Sequence, residues 1–162
     1  MGRLQRLWAQ TIWAEGAIPP SEWKYRNLKR VWLPLYDAIA IVAGWMAMWF
    51  GSRLLFRIFD MHLVDAVAGF YSLIAFVCLV GVAFPRLAAI EAAGKVILVG
   101  LIAGYIGAII FYSKNPPGEP APWFIVSMLA GLLPMPLFRL SLLGDEWAGR
   151  FIKRRRAREK VA

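Results

Sequence analysis

The sequence predicts an all-α fold, a four-helix bundle integral to a membrane with both termini on the same side. Three observations lead there. Hydrophobic residues make up 60 % of the chain, well above the ~45–50 % usual for soluble domains. The net charge of +9 is segregated into the ends and connections rather than spread evenly. Finally, the apolar residues fall into four runs long enough to cross lipid.

Those runs are Val31–Phe50, Val64–Phe84, Val96–Tyr112 and Trp123–Leu143. Each holds roughly 17–21 residues, which at about 1.5 Å per residue matches a hydrocarbon core of about 30 Å. Lipid offers no water to backbone amides, so only helices or closed barrels can span it. Continuous rather than alternating apolarity selects helices. The chain thus divides into a basic, partly amphipathic leader (1–30), a four-span region (31–143; 31–50, 64–84, 96–112, 123–143) and a basic tail (144–162). The leader lacks the pattern of a cleavable signal peptide, because no small-residue cleavage site follows the first apolar run. The first span is therefore expected to stay in the mature chain.

Orientation follows from the basic residues. Arg3, Arg6, Lys24, Arg26, Lys29 and Arg30 precede the first run, and Arg86 and Lys95 separate the second from the third. Arg139, Arg150 and the cluster Lys153, Arg154, Arg155, Arg156, Arg158 and Lys160 close the chain. The opposite side has Arg53, Arg57 and Lys114. Positive flanks stay in the cytoplasm, so both termini are expected there. Trp32 and Trp49 bracket the first span, while Trp123 opens the fourth and Trp147 follows it, as interfacial indoles should.

Pro134 and Pro136 remove backbone donors and are expected to kink the fourth span near its cytoplasmic end. Ser113–Pro122 reads as a stiff external loop. Two short segments suit the interface. In the leader, Leu4, Leu7, Trp8 and Ile12 share a helical face; between spans one and two, Leu54, Leu55, Ile58 and Phe59 oppose Arg53, Arg57 and Asp60. Either could equally be a helix extension whose arginines snorkel. No internal repeat points to an inverted-repeat transporter.

Small residues recur along every span: Ala40, Gly44, Ala47 and Gly51; Ala68, Ser72 and Ala75; Gly100, Gly104 and Gly107; Ser127 and Gly131. Small side chains let membrane helices approach closely. These stripes can pack one bundle, or bind neighbouring copies, or both.

Ionisable residues at membrane depth are costly and draw attention. Asp37 lies about two turns into the first span, and Asp65 at the mouth of the second. These are the two candidates for a pore or ion-coupling role, against the reading of a solvated or paired interfacial carboxylate. Glu91 and Lys95, four apart, can pair with each other. His62 is expected outside the membrane, and the single Cys78 to be a small packing residue.

No nucleophile–base set, phosphate-binding glycine loop or Cys/His constellation is apparent. No enzyme activity, cofactor or metal is therefore expected. The tail residues Lys153, Arg154, Arg155, Arg156, Arg158 and Lys160 suit contact with anionic inner-leaflet lipid at roughly 1 kcal/mol each. With no folded reader or interleaved aromatics, they do not predict nucleic-acid binding.

Small size, short Ala- and Gly-rich spans, sparse polar machinery and the charged end FIKRRRAREK together resemble a bacteriophage holin or holin-like protein. The resemblance is one of architecture over the whole chain and carries no residue roles. It implies accumulation in the inner (plasma) membrane of a bacterial host, self-association and the opening of lesions. Two other functions remain open on the same residues. One is an accessory or assembly subunit of another membrane protein; the other is a small ion- or proton-coupled transporter using Asp37.

Overall fold

The computed structural model describes residues 8–14, 16–18, 20–50, 56, 60–112 and 123–159; for 21–22, 112 and 150–159 it describes the backbone alone. The described residues hold four packed helical spans, each long and apolar enough to cross a membrane. This is the architecture of a small multi-span membrane protein.

The first span starts with a π-helical turn, Leu28–Trp32, and continues as α1, Leu33–Phe50. Asp60 then caps α2, Met61–Ala83, its carboxylate accepting from Met61 N at 2.9 Å. Phe84 is extended, the conformation favoured before a proline, and ends that helix. Pro85 opens a single 3-10 turn, Pro85–Leu87, and α3 follows over Ala88–Tyr112. So short a link makes α2 and α3 antiparallel neighbours. The fourth span is broken in two, α4 (Trp123–Leu132) and α5 (Pro134–Glu159).

Two of these bounds depart from the expected ones. The third helix begins well before Val96, so Lys95 sits inside a span and not in a connection. The proline break falls at Leu133, near the middle of the fourth span, not near its end, and α5 then runs on without interruption into the basic tail.

The helices meet over small residues. A Cβ built on Gly44 of α1 would collide with Ser72 Oγ and come within 3.0 Å of Ala68 O and of the Tyr71 ring. The Ser72 hydroxyl donates to Ile41 O at 2.9 Å, a hydrogen bond between helices. On the other flank of α2, a Cβ on Gly81 would stand 2.9 Å from Glu91 Cα, and one on Gly94 2.7 Å from Cys78 Sγ. Ala40, Ala75, Leu98 and Ile102 form the centre, with Tyr36, Tyr71, Leu129 and Leu133 packed around it. Large apolar side chains such as Trp49, Phe111 and Phe124 point outward, as contact with lipid tails requires.

In the leader Trp8 is helical and exposed, and residues 9–14 run in turns, with Ile12 buried. Ile12 N donates to Ala83 O at 2.9 Å and thereby caps the last turn of α2. Arg30 holds the same segment through Ile12 O (3.1 Å) and Ala14 O (2.9 Å), and Trp13 Nε1 donates to Arg30 O at 3.0 Å. Leu4, Leu7, Gly51, Arg53 to Leu55, Arg57 to Phe59, the loop 113–122 and Lys160 lie outside the described residues.

Candidate functional site

Helical spacing places charge on the buried faces of three helices. On α1, Asp37 is three residues before Ala40 and seven before Gly44, so all three face inward. On α3, Glu91 and Lys95 are in phase with Leu98 and Ile102, and on α5 Arg139 lies between Pro136 and Leu143. Each of these charged side chains is buried; Asp37, Glu91 and Lys95 are 0 % exposed.

An isolated charge in such surroundings costs several kcal/mol or more unless paired, and the structure pairs all of them. Lys95 Nζ donates to Asp37 Oδ1, and its ammonium also lies 5.3 Å from the centre of the Tyr36 ring. Arg139 clasps Glu91 with two hydrogen bonds, Nε to Oε1 at 2.6 Å and Nη2 to Oε2 at 2.8 Å. Arg139 Nη1 is 3.6 Å from Glu146 Oε1, which in turn accepts from Lys29 Nζ at 2.6 Å. Among the described residues three acids face three bases, and these pairs tie α1, α3 and α5 together at the leader end of the bundle.

This arrangement replaces the expected pair within α3. Glu91 and Lys95 do not bond each other; each reaches to a different helix, because both point into the bundle where better-placed partners wait. Asp37 is likewise no solvated carboxylate. Its second oxygen, Oδ2, is buried with no hydrogen-bond partner, the one orphaned carboxylate oxygen among the described residues. Asp65 is half-buried at the opposite end of the bundle, so the two candidate acids do not meet.

The small residues divide into two groups. Ala40, Gly44, Ala68 and Ser72 are buried between α1 and α2, with Ala47 half-buried beside them. Gly100, Gly104, Gly107 and Gly131 have open space where a Cβ would stand. The backbone of Lys153, Arg154, Arg155, Arg156 and Arg158 is helical, a continuation of α5.

Sequence reasoning missed Lys29, Tyr36, Arg139 and Glu146 as members of the cluster. For Arg139 a signal was present: a charge inside the apolar run Trp123–Leu143, in helical register with Pro136 and Leu143. Comparison with protein-family models, with curated proteins and with solved structures finds no match to this chain.

Proposed function

We propose that this chain is a holin-like protein of a bacterial inner membrane, both termini cytoplasmic, which self-associates in lipid and permeabilises it, and that it performs no catalysis. The observation that carries the reading is the open glycine face of α3. Gly100 and Gly104 are exposed and Gly107 is half-buried, at steps of four and three along one side of the helix. Such a face lets a second helix approach closely, where packing and backbone contact substitute for the hydrophobic effect. Within the chain, the α1–α2 contact over Gly44 already uses the same device.

Inducible expression in a bacterium, with and without a co-expressed endolysin, tests this. Loss of membrane potential, and lysis dependent on the endolysin, are expected. Intact potential with no lysis at full expression refutes it. Copurification of a stoichiometric unrelated membrane protein under those conditions would identify an assembly subunit instead.

A second reading, ion- or proton-coupled transport, is favoured by one observation: the orphaned Oδ2 of buried Asp37. A carboxylate at membrane depth with a free acceptor site suits a transient proton or cation. If Asp37→Asn leaves flux of protons and small cations in vesicles at the wild-type level, this reading fails.

A further inference from the structure

A proline in a helix leaves a carbonyl four residues earlier without its donor. The fourth span contains two prolines and therefore two such carbonyls, Ala130 O for Pro134 and Leu132 O for Pro136. They are satisfied in different ways. Ala130 O accepts from Leu133 N at 3.2 Å, a tighter turn made within the same span. Leu132 O accepts from another helix: the Tyr36 hydroxyl of α1 donates to it at 2.9 Å.

The two arms that meet at this break are held very differently. On the α5 side, Pro136, Arg139 and Leu143 are buried, and Arg139 is clamped to Glu91. On the α4 side, no residue is buried. Leu129 packs on the core while Trp123, Phe124, Ile125 and Met128 face outward. One arm is anchored, and the other rests on a few apolar contacts and the hydroxyl at its base.

We propose that Leu133 is a hinge and that Tyr36 is the latch that keeps α4 folded against the bundle. Tyr36 is itself fixed from the ion network. Its ring lies under Lys95, and the next residue, Asp37, accepts the Lys95 hydrogen bond. The state of the buried pair is thus mechanically connected to the hinge through adjacent residues of α1. The latch is independent of the holin-like reading, since it concerns how this chain moves and not what that motion does.

The test is a distance measurement in lipid vesicles. Nitroxide labels are placed on cysteines substituted at exposed Met46 (α1) and exposed Phe124 (α4), in a Cys78→Ala background. A control pair joins Met46 to Gly144 on α5, where an added side chain meets nothing within 4 Å. Phe124 stands nine residues from the hinge, an arm of about 14 Å, so a bend of about 20° moves it by about 5 Å. Wild-type protein is expected to give one distance for each pair. Tyr36→Phe keeps the ring but removes the hydroxyl, and should add a population about 5 Å longer for Met46–Phe124 alone. Adding Pro136→Ala, which returns an amide hydrogen to Leu132 O, should suppress that population. An unchanged Met46–Phe124 distribution in Tyr36→Phe overturns the proposal. So does an equal change in the control pair, or a failure of Pro136→Ala to reverse the effect.

Discussion

Arg139 of α5 grips Glu91 of α3 through two parallel hydrogen bonds, 2.6 and 2.8 Å long, with both side chains almost fully enclosed. Paired guanidinium and carboxylate planes give direction as well as charge compensation. Beside them Gly81 of α2 meets the backbone of Glu91 so closely that no side chain fits there. The clamp therefore sits where three helices converge.

Breaking one half of this clamp should do more harm than removing all of it. Arg139→Leu leaves a buried carboxylate and is expected to cost about 3–5 kcal/mol, whereas Glu91→Leu with Arg139→Leu should cost clearly less. Unfolding by sodium dodecyl sulfate titrated into mild-detergent micelles measures this. A double variant as unstable as the sum of the two singles would contradict the account.

Adding one methyl group discriminates between the two classes of glycine. Gly44→Ala pushes against Ser72, Tyr71 and the backbone of Ala68, and is expected to destabilise the bundle by roughly 1–3 kcal/mol. Gly100→Ala meets nothing within the chain and should leave the same unfolding curve in place. If α3 is the self-association face, Gly100→Ala combined with Gly104→Ile should lower cross-linked oligomer in membranes while the monomer stays folded.

Ser72 supplies a smaller and separable contribution. Its hydroxyl bonds Ile41 O between α1 and α2, and Ser72→Ala should cost roughly 0.6 kcal/mol, the average for hydrogen bonds between helices in lipid. Because Gly44 touches the same hydroxyl, Gly44→Ala with Ser72→Ala should be less damaging than additivity predicts. A double-mutant cycle in the same detergent system reads that coupling directly.

Lys29 and Glu146 lie at the edge of the network, with Glu146 side-chain exposure at 24 %. Water reaches Glu146 but scarcely Lys29, whose side chain is only 8 % exposed. Lys29→Gln is therefore expected to cost more than the ~1 kcal/mol of an exposed pair but less than breaking the enclosed clamp, with part of the loss shrinking as ionic strength rises. Arg139→Leu should show no comparable salt dependence. Thermal unfolding at low and high sodium chloride separates the two.

Membrane residence and helix number follow directly from the sequence, because apolarity over some twenty consecutive residues is a property of composition and length. Val31–Phe50 and Trp123–Leu143 announce themselves without reference to any neighbour. The small residues Ala40, Gly44, Ala68 and Ser72 marked faces where helices can approach closely, although their spacing did not say which helix meets which. The break in the fourth span was legible from Pro134 and Pro136, although its position along the span was not.

Partnership was another matter. Glu91 and Lys95 look like a pair when only their spacing is known, since a lone helix offers each no one else. In the bundle Asp37 and Arg139 arrive from other helices and take them apart, because a buried charge settles on whichever opposite charge the packing brings into hydrogen-bond geometry. The role of Tyr36 is of the same kind: the need for a donor at Leu132 O is written in Pro136, but which residue supplies it depends on how α1 lies against the proline break. Local chemistry states which groups require a partner, and only the packing of helices distant in sequence assigns one.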